Sequence, residues 1–217
     1  MGIRRSGKIG TIWLLLAIPM LGRADVVLFS DYGSGNTYNT GFGWTIGGGG
    51  SSLSEPAAAF TPSLTAGLTQ INISLAYISG TNQVDVNLKV DAGGAPAVNP
   101  LESWVVTGLP PFSAPGQVET LTSSSPIKLH KGTTYWLQVL PGDATTNAIW
   151  YENDFSTSSS IGALFVSTSG TPSYMGNQYL PAFGVSGGAN PVPEPGFVIP
   201  IGAAFVGLLM IRKRHAA

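Results

Sequence analysis

The stretch Gln83–Val90 constrains the fold of this chain more than any other. Aliphatic side chains occupy every second position, and polar side chains lie between them. Successive side chains of a β-strand point to opposite faces, so the pattern predicts a strand with one buried face. The predicted buried set is Val84, Val86, Leu88 and Val90.

Shorter runs of the same kind recur through the body of the chain, separated by turns rich in Gly, Asn, Ser and Pro. No window of the body has a convincing helical period. About ten to twelve short strands with frequent turns predict an all-β fold, an antiparallel β-sandwich of the jelly-roll type. The other expected strands are residues 26–29, 44–46, 57–60, 71–77, 103–106, 118–121, 127–129, 133–140, 148–151, 163–166 and 179–185.

Charges are few and unevenly distributed. Charged residues make up 10% of the 217, and seven of the ten basic ones lie near the two ends. Between residues 25 and 190, three lysines face ten acidic residues, a net charge of −7. An acidic body does not attract nucleic acid, which excludes that partner. The chain has no cysteine, which excludes disulfides, thiolate metal sites and a cysteine nucleophile.

Residues 1–24 are typical of a secretory signal peptide. Arg4, Arg5 and Lys8 precede an apolar run at 9–21, and Gly22-Arg23-Ala24 offers small residues for cleavage before Asp25. The Arg4-Arg5 pair raises a twin-arginine alternative, but the residues after it fit that pattern poorly. We therefore expect export by the general secretion machinery.

The last 26 residues combine three parts in a fixed order. Val192-Pro193-Glu194-Pro195 is followed by an uncharged apolar run at 196–211 and then by Arg212, Lys213 and Arg214. As a helix, the apolar run would be about 24 Å long, slightly less than a hydrocarbon core of about 30 Å. The basic cluster would stop it at the cytoplasmic face. Residues 186–192 are expected to form a flexible spacer before this tail.

This tail resembles the PEP-CTERM sorting signal of Gram-negative bacteria. The resemblance implies recognition and cleavage by a membrane-embedded exosortase. The precursor would then be anchored transiently in the inner membrane, and the mature protein would reach the cell surface or the extracellular matrix of a biofilm. The alternative is a permanent C-terminal transmembrane anchor. The short apolar run and the Pro-Glu-Pro entrance favour the processed form.

Several segments of the body together carry a second resemblance: 31–33, 38–44, 59–62, 78–82, 84–91, 93–94 and 101–103. In these segments the body is similar to the choice-of-anchor domains, type R, of bacterial surface proteins. The resemblance implies a β-sandwich and no particular chemistry. The sequence departs from the family pattern at Gly94-Ala95-Pro96-Ala97, where a Pro-Gly step is expected.

Few residues of the body could perform catalysis. His130 is its one histidine and is expected on a solvated turn, and no G-x-S-x-G motif accompanies the many serines. The best candidate site is the sequence W-Y-E-N-D at 150–154, where Glu152 and Asp154 share one face of a strand. These carboxylates could serve a glycosidase or bind calcium, or they could belong to a solvated acidic loop.

Exposed aromatic side chains could stack on sugar rings, whereas buried ones fill the core. Trp150 and Tyr151 are candidates for such stacking because they adjoin Glu152. Trp136 lies on the face opposite Tyr135, so we expect it to be the most exposed tryptophan.

The sequence therefore predicts a signal peptide at 1–24, a β-sandwich domain at 25–188, and a linker with sorting tail at 189–217. The leading hypothesis is an exported, non-enzymatic surface or matrix protein without a cofactor. The alternatives are a module that binds exopolysaccharide through Trp150, Tyr151 or Trp136, and a glycosidase that uses Glu152 and Asp154.

Overall fold

The computed structural model describes residues 25–47, 53–112, 114, 117–154, 161–168 and 171–188, with backbone alone for 161–168 and 171–178. The predicted signal peptide, sorting motif and C-terminal helix lie outside these ranges. Within them, no helix has the length and apolar character needed to cross a membrane. The strands are β1 (Asp25–Ser30), β2 (Tyr38–Gly47), β3 (Glu55–Phe60), β4 (Ala66–Ile73), β5 (Leu75–Ser79), β6 (Gln83–Val90), β7 (Glu102–Thr107), β8 (Glu119–Thr122), β9 (Lys128–Leu129), β10 (Tyr135–Pro141), β11 (Asn147–Asn153), β12 (Ile161–Thr168), β13 (Thr171–Tyr179) and β14 (Phe183–Gly188).

These strands form three sheets whose strand pairs are all antiparallel. A six-stranded sheet has the order β13-β12-β3-β10-β6-β7. A five-stranded sheet has the order β1-β14-β4-β8, with β9 also paired to β4, and a three-stranded sheet has the order β2-β11-β5. For the residues that the structure describes, the all-β, antiparallel prediction is confirmed.

The two smaller sheets lie end to end because their strands continue one another along the chain. Strand β5 follows β4 after the single residue Ser74, and β2 follows β1 after the loop at 31–37. Strand β11 occupies the same position between β2 and β5 that β14 occupies between β1 and β4. The two smaller sheets thus form one long layer in which β1 and β2, β14 and β11, and β4 and β5 occupy corresponding positions. We call the region between the two sheets, at residues 31–37 and Ser74, the joint.

One hydrophobic cluster lies between this layer and the six-stranded sheet, and every sheet contributes to it. Val84, Val86 and Leu88 of β6 are fully buried, as the alternation predicts, whereas Val90 at the end of the strand is 38% exposed, contrary to the prediction. From β10, Tyr135, Leu137 and Val139 enter the same cluster. Two layers around one shared core fit a β-sandwich. Other large members include Leu28, Ile46, Phe60, Ile71, Ile73, Leu75, Leu129, Trp150, Phe183 and Val185.

Side chains at one edge tie the two layers together. The Glu102 carboxylate of β7 accepts hydrogen bonds from the Ser123 hydroxyl at 2.6 Å and from the Ser124 backbone N–H at 2.7 Å. The Trp104 indole N–H donates to the Thr122 carbonyl at 2.9 Å. Because β7 belongs to the six-stranded sheet and residues 122–124 end or follow β8 of the five-stranded sheet, directional bonds as well as apolar packing join the two layers here.

Strand boundaries differ from the prediction at several places. The expected strand 71–77 is interrupted at Ser74, where the chain passes from one sheet to the next. The expected strand 179–185 is divided between the ends of β13 and β14, and β13 itself was not predicted. Strand β2 begins at Tyr38, within an expected loop. Residues 186–188 of the expected spacer belong to β14.

The expectation that Trp136 is exposed is wrong, since only 1% of the side chain is accessible. Its neighbours Gln138 and Asn87 on the outer face of the sheet are also buried. The Trp136 indole N–H donates to the Asp91 carboxylate at 2.7 Å, which ties the ring to the turn after β6. Alternation locates the two faces of a strand but does not show that both are covered.

The first and last described residues are direct partners. Asp25 of β1 pairs with Gly188 of β14, so the polypeptide enters and leaves the domain at the same end. The turns at the opposite end are held by Asp143, whose carboxylate accepts from Thr81, Thr145 and Thr146. These hydrogen bonds lower the pKa of Asp143 to about 2.

Candidate functional site

The predicted candidate site, W-Y-E-N-D, forms the end of β11 at the joint between the two smaller sheets. Trp150 faces the main core and is fully buried. Its indole N–H donates to the Ala182 carbonyl at 3.0 Å, and its ring lies 5.7 Å from that of Phe183. The ring therefore presents no face to a ligand.

Tyr151 points to the opposite face of β11, where it is 1% exposed. It packs with Ala76, Ile149 and Tyr38 in a small second cluster. Phe112 stacks on the Tyr151 ring at 5.7 Å, and the Tyr151 hydroxyl donates to the Phe112 carbonyl at 3.1 Å. The proline-rich segment after β7 thus covers Tyr151, which also cannot stack on a sugar.

Glu152 and Asp154 are the members of the candidate site that reach the surface, and both are half-buried. Asp154 accepts a hydrogen bond from the Thr37 hydroxyl at 3.0 Å. The Glu152 carboxylate receives no hydrogen bond from the described residues, and burial raises its pKa. Asn153 lies between them and is fully buried. Across the described ranges, no cluster of three or more His, Cys, Asp or Glu side chains could hold a metal ion.

A buried polar group lies at the joint itself. Asp31 follows β1 and is 1% exposed, and one of its carboxylate oxygens accepts the Phe183 N–H at 2.8 Å. Its second oxygen is buried and has no hydrogen-bond partner in the described part of the chain. Burial is the main cause that raises the pKa of Asp31 to about 8, against hydrogen bonds that lower it. The carboxyl is therefore largely protonated at neutral pH.

Tyrosine hydroxyls and Ser74 are further polar groups at the joint. The Tyr32 and Ser74 hydroxyls lie 2.9 Å apart, and Tyr32 contacts the ring of Tyr38 edge to face at 6.0 Å. Burial is the largest cause that raises the pKa of Tyr32, and burial also raises that of Tyr38. The Ser74 N–H and carbonyl bond to Ala182 and to Tyr151, respectively, which continues the backbone bonding across the break between β4 and β5.

An exposed aromatic residue lies beside Glu152 on an interruption of β2. Gly43 pairs with Tyr151, but the next partner of β11, Glu152, pairs with Asn39. Residues 40–42 therefore have no partner in β11, and we call them the Phe42 bulge. The Phe42 side chain is 67% exposed. Bulges of this kind are common next to functional sites because they redirect a side chain.

The bulge is fixed at both ends. The Asn39 side-chain oxygen accepts the Gly41 N–H at 3.0 Å, which holds the start of the bulge in place. At its other end, a Cβ atom on Gly43 would lie 2.7 Å from Ile149 Cγ1 and 2.9 Å from Tyr151 Cα, so only glycine fits there. The backbone that carries the exposed Phe42 is therefore ordered at both ends of the bulge.

Two further aromatic residues adjoin this region. The Trp44 indole N–H donates to the Tyr179 carbonyl at 3.1 Å, which connects β2 to the end of β13. Trp44 is half-buried and Tyr179 is 43% exposed. Two residues after Tyr179, Pro181 forms an isolated bridge with Glu152. Phe42, Trp44, Tyr179 and Glu152 thus belong to neighbouring backbone segments at one edge of the sandwich.

The sequence pointed to Glu152 but not to Asp31 or Phe42. Asp31 and Phe42 both fall in the Gly- and Asn-rich stretch that was expected to be a loop. The available signal was the pair Gly41 and Gly43 around a single phenylalanine, a pattern that is compatible with a bulge. His130 is exposed next to its turn, as expected.

No protein-family model matches the chain, and no curated protein is significantly similar to it. The resemblances of the tail and of the body therefore stay predictions.

Proposed function

We propose that this protein is exported, is sorted through its C-terminal tail by an exosortase, and acts without enzymatic activity at the cell surface or in the extracellular matrix. The observation that carries this proposal is the order of three elements in the tail: Val192-Pro193-Glu194-Pro195, the uncharged run at 196–211, and Arg212-Lys213-Arg214. Each element has a separate physical role in recognition, insertion and orientation.

The arrangement of the domain ends supports the same proposal. A domain between a signal peptide and a membrane-directed tail has both of its ends at the inner membrane during export. Asp25 and Gly188 are paired neighbours, so both segments can reach one membrane surface without crossing the domain. We further propose that the sandwich is of the jelly-roll type, that residues 1–24 are a signal peptide and that the apolar run of the tail forms a helix.

We infer a non-enzymatic role from the surroundings of the candidate catalytic residues. Asp154 is bonded to Thr37, and Glu152 lies between two buried residues of β11. His130 is exposed between β9 and β10. These observations favour a binding or structural role over hydrolysis by paired carboxylates.

Mass spectrometry of the producing bacterium tests the sorting proposal. Peptides from the body should be recovered from surface material, and none should extend beyond about Pro195. A Glu194→Ala variant should retain the tail and accumulate in the membrane fraction, whereas Glu119→Ala in β8 should be processed like the parent. Abundant intact peptide from 197–212 in parent surface material would contradict the proposal.

A further inference from the structure

We propose that the Phe42 bulge, together with Trp44, Tyr179 and Glu152, is a binding site for a neutral polysaccharide chain. This inference adds a ligand to the proposed matrix role. It rests on the geometry of the domain, so binding and sorting are tested separately.

The exposure of Phe42 is the first argument. A phenylalanine that is 67% exposed on a mobile loop would need no explanation, since single apolar side chains are common on protein surfaces. Phe42 instead lies on a bulge that is fixed by the Asn39 bond and by the contact of Gly43 with β11. Because the backbone of the bulge is already ordered, a ligand that packs on Phe42 does not have to order it.

The polar groups around the bulge supply the second argument. Glu152 lies directly opposite the bulge and is half-buried, and its carboxylate has no hydrogen bond within the described residues. The same burial raises the pKa of the Glu152 carboxyl. A ligand hydroxyl that donates to Glu152 would satisfy it. Sugars combine such hydroxyls with apolar C–H faces that pack on aromatic rings.

A protein strand is a poorer ligand for this edge. Strand addition needs a continuous row of free backbone groups, and β2 lacks one. The bulge interrupts its ladder, the Thr45 carbonyl already accepts the Ser54 hydroxyl, and Gly47 is bridged to Ser54. These features are typical of edges that avoid pairing with other chains.

The charge of the site argues for a neutral polysaccharide. Glu152 and Asp154 lie at this edge, and the body carries a net charge of −7. An anionic chain such as alginate would be repelled. A neutral chain has no such cost, and it can extend from Phe42 toward the exposed Tyr179.

Binding should be measured by titration calorimetry on the full-length protein in mild detergent. The probes are cellohexaose, laminarihexaose and chitohexaose as neutral chains and an alginate hexamer as the anionic one. At least one neutral hexamer should bind, and Phe42→Ala should weaken it at least tenfold. Glu152→Gln should weaken it severalfold. Val105→Ala, which changes a side chain of equal exposure on β7, should bind like the parent.

Two further variants test whether binding requires an aromatic ring or only an apolar side chain at position 42. Phe42→Tyr should keep binding, and Phe42→Leu should lose most of it; both are expected to fold because the side chain is outside the core. Failure of all three neutral hexamers to bind, equal binding by Phe42→Leu, or preference for alginate would overturn the proposal. So would self-association that Phe42→Ala abolishes without any effect of saccharide, which would assign the surface to a second copy.

Discussion

Asp31 and Phe183 are joined by two hydrogen bonds although 152 positions separate them. The Phe183 N–H donates to the Asp31 carboxylate at 2.8 Å, and the Asp31 N–H donates to the Phe183 carbonyl at 3.2 Å. This pair fixes the start of β14 to the segment between β1 and β2. The second carboxylate oxygen is buried without a partner among the described residues, and burial favours the protonated form of the carboxyl.

The free energy of unfolding should therefore fall as pH rises from about 4 to about 8. The pKa of Asp31 is about 8 in the folded protein and near 3.8 ordinarily, so the folded state binds more protons in that interval. The slope contributed by one such group is at most about 1.4 kcal/mol per pH unit. Tyr32, which lies near Asp31, and Tyr38, which contacts the Tyr32 ring, stay neutral there because their pKa values are raised.

Urea unfolding of an Asp31→Asn variant across that pH range checks this prediction. The amide keeps the oxygen that accepts from Phe183 and resembles the protonated carboxyl, so the slope should flatten and the variant should be the more stable protein near pH 8. Asp25→Asn, at an exposed position of β1, should show the same slope as the parent. An unchanged slope in Asp31→Asn would refute the assignment.

A second prediction concerns Gly43, where the bulge touches β11. A Cβ atom would collide with the Trp150 carbonyl oxygen and with Ile149, both of which are held by the sheet. Gly43→Ala should destabilise the domain by about 1–3 kcal/mol, the usual cost of overpacking. Gly41→Ala is the matched control, because its Cβ would meet only the Asn39 side chain at 3.5 Å. Thermal melts of the two variants that shift equally would argue against a fixed bulge.

A third prediction links Trp136 to Asp91. The indole N–H is the largest cause that lowers the pKa of Asp91, ahead of the bond from the Gly94 N–H. Trp136→Phe removes that donor, so the pKa of Asp91 should rise toward its ordinary value in a carboxyl NMR titration. Trp104→Phe removes an indole that bonds to a carbonyl instead, and it should leave the Asp91 titration where it is. A parent-like Asp91 titration in Trp136→Phe would contradict the contact.

The fold class was predictable because period-2 alternation reports local geometry directly. Val84, Val86 and Leu88 are buried as the pattern requires, and the strands pair antiparallel as short connections favour. The break at Ser74 was not predictable, because Ile73 and Leu75 on either side of it both enter the core and the alternation continues through it. What changes at Ser74 is the neighbouring strand, and neighbours are not encoded in a local pattern.

The candidate site was predictable only in part. Glu152 stood out because acidic residues are rare in this chain and it adjoins aromatics. The burial of Trp150 and Tyr151 depends on Phe183 and Phe112, which come from distant segments. Asp31 is a polar residue in a glycine-rich stretch, where solvation is the ordinary expectation, and its burial arises from the contact with β14.

The pairing of Asp25 with Gly188 has a mechanical consequence. A tension between the segments that precede and follow the domain would pull β1 and β14 apart from their shared end. The force would load the rungs of that ladder one after another, beginning with Asp25–Gly188, so the domain would unzip at low force. A domain with its two ends on opposite sides would instead be loaded in shear, and many hydrogen bonds between the strands would have to break together. This domain would therefore open before a large tension could pass between the segments on either side of it.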